Sequence, residues 1–305
     1  MAVTAALVKE LRELTGAGMV DCKKVLVEAD GNLEKAIELL REKGLSAAAK
    51  KAGRVASEGL AYAHINDNTG VIVEVNSETD FVAKNQEFVT YVEQVASQVV
   101  GSNSKTVEEL LNEKWNADTS LTVEEALSHK ISVIGEKLTI RRFEKFVKSE
   151  NGVLVSYIHG GGKVAVMLEL ISSITNDTLL EAGRNICMQI AAMSPKFVNR
   201  DEVSPDFIEK EKEILTQQAL GEGKPANIVE KMIVGRLNKS LKEMCLVDQE
   251  YVKDGDMTVQ QYVESIGKEI GTDVSIKRFV RFETGEGIEK KEENFADEVN
   301  KVIQG

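Results

Sequence analysis

The sequence predicts an α+β protein, and three observations carry that expectation. Apolar residues at helical spacing fill about the first 53 positions. A strand-rich segment then occurs twice, and a charged stretch with helical spacing interrupts its second copy. A length of 305 residues suggests about two domains. With 42% hydrophobic and 29% charged residues the composition is that of a soluble globular chain, and 3 prolines with 5% aromatics suit a helix-rich one.

The first segment reads as three helices. Val3, Leu7, Leu11 and Leu14 share one face, with Thr4 near the start, and Gly16-Ala17-Gly18 ends it. Met19, Cys22, Val25, Leu26 and Ala29 form a second stripe, and Asp30-Gly31-Asn32 is a stop-and-cap signal. Leu33, Ala36, Ile37 and Leu40 form a third, which Gly44 is expected to close. None is long enough to stand alone, so the three must pack together. The basic connector Lys50-Lys51-Ala52-Gly53-Arg54 follows, giving a first domain over 1–53.

Gly59-Leu60-Ala61-Tyr62-Ala63-His64-Ile65 is echoed by Gly152-Val153-Leu154-Val155-Ser156-Tyr157-Ile158-His159. Each leads through a glycine-containing turn to a strand-like run, Val71 to Val75 and Val164 to Leu170, and then to a helical segment ending near Ala96 and Ala191. From Glu74 to Ala96 and from Glu169 to Ala191 the copies read in step, 95 residues apart. Both close on an alternating strand, Leu138 to Phe143 and Val274 to Phe279, with Arg142 and Arg278 136 residues apart. The second copy therefore carries about 41 extra residues. Each copy is expected to be a three-stranded antiparallel sheet covered by helices, over 54–148 and 149–286.

The extra residues read as two helices. Phe207, Ile208, Ile214 and Leu215 keep helical spacing, Gly221 to Pro225 breaks it, and Ile228, Met232, Ile233, Leu237 and Leu241 resume it. A helical hairpin at about 200–241 either packs on the body or projects from it, and a projecting arm needs a partner. After Gly285-Glu286-Gly287, expected to be a flexible joint, Phe295, Val299, Val302 and Ile303 mark a terminal helix in 287–305.

Between the strand at Val71 to Val75 and the next helix lies Asn76-Ser77-Glu78-Thr79-Asp80-Phe81-Val82-Ala83-Lys84. A connector should be polar, because its backbone needs water. Phe81 and Val82 are not. From this stretch alone, a Phe81 folded back onto the core is the commoner fate; one pointing outward would be a wedge for another protein, with Asp80 supplying charge.

Several function classes are excluded or unsupported. A net charge of −12 argues against a general nucleic-acid binder. There is no apolar run near 20 residues, so no membrane span is expected. Met1-Ala2-Val3-Thr4 enters helical periodicity without leader features, and the expectation is a cytoplasmic protein. Cys22, Cys187 and Cys245 and three scattered histidines make no metal spacing, and no cofactor is expected. His159-Gly160-Gly161-Gly162-Lys163 lacks the earlier glycine of a phosphate loop and is followed by Val164 rather than Ser or Thr. Its three glycines fit a hairpin turn. No nucleophile and base are brought together, so the chain is not expected to be an enzyme.

Taken together these residues resemble the bacterial elongation factor Ts family, the nucleotide-exchange factors of elongation factor Tu. The resemblance lies in Thr15-Gly16-Ala17-Gly18-Met19-Val20-Asp21-Cys22-Lys23-Lys24, in Glu74 through Lys84, in Ser156-Tyr157-Ile158-His159 and in Arg281 through Lys290. These motifs come in family order and cover essentially the whole chain. Val20 stands where many members carry methionine, Ser77 where some carry cysteine, and 241–271 matches loosely. The resemblance implies an N-terminal ubiquitin-associated-like unit, a core of two related subdomains, a coiled-coil hairpin that dimerises some members, and a C-terminal helix. It also implies exchange on elongation factor Tu, in GDP-bound and nucleotide-free form, with Thr79, Asp80, Phe81 and Val82 displacing that partner's magnesium ion. That implication turns Phe81 outward. Met19 and Val20 are second contact candidates and His159 a third. The rival class is an adaptor with no exchange activity, which would have no use for the Thr79 to Val82 loop.

Overall fold

A computed structural model describes residues 3–222 and 226–289. Helices α1 (Ala5–Thr15), α2 (Met19–Glu28) and α3 (Leu33–Lys51) come first. The first sheet copy comprises β1 (Glu58–Asn66), β2 (Thr69–Ser77), α4 (Asp80–Ala83), α5 (Gln86–Gly101), α6 (Val107–Leu111), β3 (Lys114–Trp115), β4 (Asp118–Thr122), α7 (Val123–Ile134) and β5 (Thr139–Val147). The second comprises β6 (Gly152–His159), β7 (Val164–Ser172) and α8 (Asp177–Met193), then α9 (Pro205–Gly221) and α10 (Ala226–Met244). It ends with β8 (Glu250–Tyr251), β9 (Asp254–Thr258), α11 (Val259–Ile270) and β10 (Val274–Glu283). The mixed α+β class is as expected. The chain forms two compact units, one holding the described residues up to Tyr62, Val73–Phe143 and those from Glu283, the other Ala63–Ile72 and Glu144–Phe282.

In the first unit, the Thr4 hydroxyl accepts from the Leu7 N–H to cap α1, and Gly16, at φ 67°, ends it. Val8, Leu11, Cys22, Val25, Leu26, Ala36 and Leu40 form the common core of α1–α3. Cys22 is buried there, and that burial raises its thiol pKa, as befits a core thiol. Gly44 does not close α3. The helix runs on through Leu45-Ser46-Ala47-Ala48-Ala49, good helix formers for the most part. Gly44 instead lies buried against α7, where an added Cβ would stand 3.6 Å from the Ser128 carbonyl. That is ordinary van der Waals contact, so neither chain reversal nor packing demands a glycine at this position.

The sheets have matching orders, β1-β2-β5 and β6-β7-β10. β6 and β7 pair antiparallel from Gly152↔Ile171 to His159↔Val164. Gly160, Gly161 and Gly162 join them at φ 59°, 66° and 96°, the left-handed turn that three glycines suggested. The copies agree in detail. Thr122 with Glu125 and Thr258 with Gln261 form capping boxes at the starts of α7 and α11. Buried Gln98 donates to the Lys114 carbonyl (3.1 Å) and accepts from the Asn116 N–H (2.8 Å). Buried Gln189 does the same with Glu250 (3.0 Å) and Val252 (2.8 Å). The small hairpins β3–β4 and β8–β9 had no counterpart in the sequence reading, their strands being too short for a period to emerge.

The register of the repeat needs one correction. Glu74 and Glu169, and Ser77 and Ser172, are 95 residues apart. The capping residues Asn85 and Asn176 and the equivalent Gln98 and Gln189 are 91 apart. Four residues are thus inserted in the first copy between strand and helix, the length of α4. A slip of four is close to one helical turn of about 3.6 residues, so apolar face still fell on apolar face and the slip was invisible to periodicity. The extra stretch of the second copy is correspondingly about 45 residues, not 41.

Each copy buries one carboxylate completely. Glu74 accepts from Arg141 (2.8 Å), Arg142 (2.6 Å), the Asn76 amide (3.1 Å) and the Gly285 N–H (2.8 Å). Glu169 accepts from Arg278 (2.6 Å) and the Ser149 N–H (2.7 Å), with Lys277 at 3.8 Å. Burial by itself raises both carboxyl pKa values; the hydrogen bonds and guanidinium charges outweigh it and hold both below the ordinary value.

Gly285-Glu286-Gly287 is a pinned turn rather than a flexible joint. Gly285 sits at φ 74° so close to Ser57 that an added Cβ would lie 2.1 Å from its carbonyl oxygen. Arg142 holds the Glu283 carbonyl and the Glu286 carboxylate at 3.2 Å each, and Arg141 holds the Glu286 carbonyl. The terminal helix expected beyond it lies outside the described residues.

In the second unit, α9 and α10 pack as the expected hairpin around Leu215, Ala219, Val229 and Ile233, with Phe207, Leu237 and Leu241 in a cluster at its base. Ile214, Leu220 and Val234 stay exposed. No helix among the described residues is long and apolar enough to cross a membrane.

Removing one partner of a buried charge pair is expensive, so Glu74→Ala is expected to lose about 3–5 kcal/mol of unfolding free energy at neutral pH, by denaturant titration. The folded carboxyl pKa lies below the unfolded one. Its contribution is therefore full above the unfolded value and lost as pH falls through the depressed folded value, so the gap between variant and wild type narrows as the solution is acidified through the carboxylate range.

Candidate functional site

At the end of β2, Asn76 and Ser77 are still buried, and the chain then turns outward over Glu78 and Thr79. The turn is built by short-range hydrogen bonds. The Ser77 hydroxyl donates to the Thr79 carbonyl (3.0 Å), and the Thr79 hydroxyl accepts from the Val82 N–H (3.3 Å) as the cap of α4. Ala83 is buried and Val82 half-buried, which anchors one side of this single helical turn. Phe81 then faces out, 82% exposed. Asp80 is exposed beside it and pairs with Lys84 at 2.6 Å. The core-cap alternative for Phe81 is overturned, because Ala83 and Val82 take the inward positions.

The turn is braced by residues that sequence reasoning missed. The Glu136 carboxylate accepts from the Glu78 N–H (3.1 Å), the Thr79 N–H (3.0 Å) and the Thr79 hydroxyl (2.6 Å). The Lys137 N–H donates to the Glu78 carboxylate (2.5 Å), and its ammonium reaches the Ala52 (2.7 Å) and Arg54 (2.8 Å) carbonyls. Arg54 pairs with Glu78 at 3.2 Å. The basic connector at 50–54 is thereby tied to the base of the loop. Glu136 and Lys137 follow Gly135, the left-handed cap of α7, and stand 57 or more residues from the groups they hold. A separation of that size has no local signature.

The other predicted contacts lie elsewhere. Met19 and Val20 open α2 and are 59% and 66% exposed, while Cys22, Val25 and Leu26 turn to the core. His159 ends β6 in the second unit, exposed, with its Nδ1 2.9 Å from the Tyr157 hydroxyl. Among the described residues no three His, Cys, Asp or Glu side chains are grouped as a metal site.

Among the described residues, Phe81 is the most exposed of the large hydrophobic side chains. A family model described as Elongation factor TS matches residues 78–286. The chain is 54% identical to Elongation factor Ts of Clostridioides difficile (strain 630), over 99% of both chains. It is 54% identical to that of Clostridium perfringens (strain SM101 / Type A), over 98% of this chain and 99% of the other. For Clostridium botulinum (strain Eklund 17B / Type B) the identity is 53%, over 99% of each. The chain belongs to the elongation factor Ts family.

Because its side chain is 82% exposed, Phe81→Ala is expected to leave the unfolding free energy within about 0.5 kcal/mol of wild type in denaturant titration. A core-capping phenylalanine would lose about 3–5 kcal/mol.

Proposed function

We propose that this chain is the guanine-nucleotide exchange factor of elongation factor Tu in translation elongation, and that Phe81 is the group that drives exchange. Membership of the family supports the first statement. The observation that carries the second is the exposure of Phe81 on a turn whose backbone is held by the Glu136 carboxylate and the Ser77 hydroxyl.

GDP is held in such a GTPase by backbone amides around its phosphates and by a magnesium ion bridging phosphate and protein oxygens. A binding protein speeds release only by preferring the weakly binding form of its partner. Phe81 inserts between elements that support the magnesium site and shifts them, with Thr79 and Val82 shaping the turn and Asp80 fixing its position by polar contacts. Loss of the ion leaves the phosphate charge uncompensated, and GDP departs. By reciprocity, GDP weakens the factor's grip by the same ratio, and the factor stays bound until GTP arrives. The chain acts through binding alone, without an active site or cofactor of its own. It works in the cytoplasm without contacting nucleic acid or membrane.

In this reading residues 1–53 are the ubiquitin-associated-like unit, whose Met19 and Val20 form a second contact with the partner. Residues 54–148 and 149–286 are two related subdomains, with His159 as a further contact from the second. Residues 287–305 form the C-terminal module. The exposed Ile214, Leu220 and Val234 of the α9–α10 hairpin supply an apolar face for a second copy of this chain.

Release of fluorescent GDP from elongation factor Tu, chased with excess unlabelled GDP, tests this. The chain accelerates release in proportion to its concentration, and Phe81→Ala lowers the second-order rate constant about tenfold or more, as loss of an interface anchor does. Binding without acceleration would make it an adaptor. Acceleration unchanged in Phe81→Ala would remove Phe81 from the mechanism.

A further inference from the structure

We propose that Glu136 is a positioning residue for exchange: its carboxylate holds the turn that presents Phe81, in a place where the fold itself needs no carboxylate. The inference rests on the role given to Phe81 above.

The geometry is that of a clamp. One oxygen of Glu136 takes two consecutive backbone N–H groups, those of Glu78 and Thr79, and the other takes the Thr79 hydroxyl. That hydroxyl has a single proton, which goes to Glu136, so its lone pair is left for the Val82 N–H. The direction of the capping bond is thus set by the carboxylate. From Glu136 through Thr79 to Val82, the chain of bonds ends on the residue next to Phe81. Hydrogen bonds to an ionised acceptor are the stronger kind, and a short chain of them orders a turn more firmly than isolated contacts do.

The second copy of the repeat shows what the fold requires without the clamp. There the Ser172 hydroxyl donates to the Ile174 carbonyl (2.8 Å), the counterpart of Ser77 and Thr79. Gly271 caps α11 in the left-handed region, as Gly135 caps α7. At the next position stands Thr272 rather than a carboxylate, and its hydroxyl meets the Ser173 hydroxyl at 2.6 Å. The same strand-end turn is built, but the chain passes directly to the cap of α8 without a four-residue helix. The carboxylate accompanies the inserted residues that carry Phe81.

A loop ordered before binding has less freedom to lose on association. If the presenting conformation is occupied for only a fraction of the time, apparent affinity falls by that fraction while the bound complex is unchanged. Loss of the clamp therefore raises KM for exchange and leaves kcat nearly intact.

The test is steady-state GDP exchange on elongation factor Tu with Glu136→Ala, Glu136→Gln and Glu136→Thr, each alone and combined with Phe81→Ala. Glu136→Thr copies the residue that the second copy already uses, and thermal melting checks folding. Glu136→Ala and Glu136→Thr are expected to raise KM about tenfold, with kcat within twofold. Glu136→Gln, whose amide oxygen still accepts from both N–H groups but whose amide nitrogen cannot take the Thr79 hydroxyl proton, raises KM less than Glu136→Ala does, with kcat within twofold. In the Phe81→Ala background, Glu136→Ala adds less than twofold. Wild-type KM in Glu136→Ala and Glu136→Thr, with Phe81→Ala impaired, would overturn the positioning role alone. So would an equal loss in both backgrounds, which marks a merely structural residue. A fully active Phe81→Ala would overturn the role of Phe81 and this inference together.

Discussion

The burial of one carboxylate beneath each three-stranded sheet copy is the constraint on which the rest of the structure depends. Glu74 and Glu169 are wholly removed from water, and an unpaired charge there would be untenable. Each must therefore find cations on the last strand of its own copy, Arg141 and Arg142 for Glu74, Arg278 for Glu169. That requirement ties the second strand of each copy to a partner strand that closes the sheet many residues later. In the first copy it reaches further. The Gly285 N–H completes the Glu74 shell, which seats the turn after β10 against Ser57 and explains why residue 285 has no side chain.

The turn that carries Phe81 leaves the same strand four residues beyond Glu74, at Glu78. Asn76, Ser77 and Glu78 carry the order of the buried site outward to the turn, through bonds to Glu58, Thr79 and Lys137. Rigidity at the base and exposure at the tip follow from one another. The backbone groups of 78 and 79 are satisfied by Glu136, so the short helix needs nothing from Phe81 for its own stability. The ring is left in solvent, although full burial of such a side chain is favourable by about 1.5–3 kcal/mol.

Comparison of the two copies separates what the fold needs from what the site needs. Capping boxes, buried glutamines, left-handed glycines and buried Glu–Arg pairs occur in both and belong to the architecture. The four-residue insertion Asp80–Ala83 and the carboxylate at 136 occur only in the first, and the α9–α10 hairpin only in the second. Residues have been added to a repeated frame at the joints between strand and helix, where they do not disturb the sheet.

Much of this was legible in the residues alone. The alternation and helical stripes of the apolar residues determined the three N-terminal helices, the repeat with three main strands in each copy, and the hairpin, because local periodicity is written in neighbouring side chains. Phe81 stood out as incongruous in a polar connector for the same reason, without its direction being given. The stretch around Phe81 favoured a ring folded inward and the family resemblance turned it outward, as the structure has it. Only the tertiary structure decided that Gly44 belongs inside a helix, that Gly285 is pinned and that the repeat slips by four residues. It also supplied Glu136 and Lys137. Each of these depends on groups brought together across dozens of residues, and a contact between Glu136 and Thr79 leaves no period in the sequence that separates them.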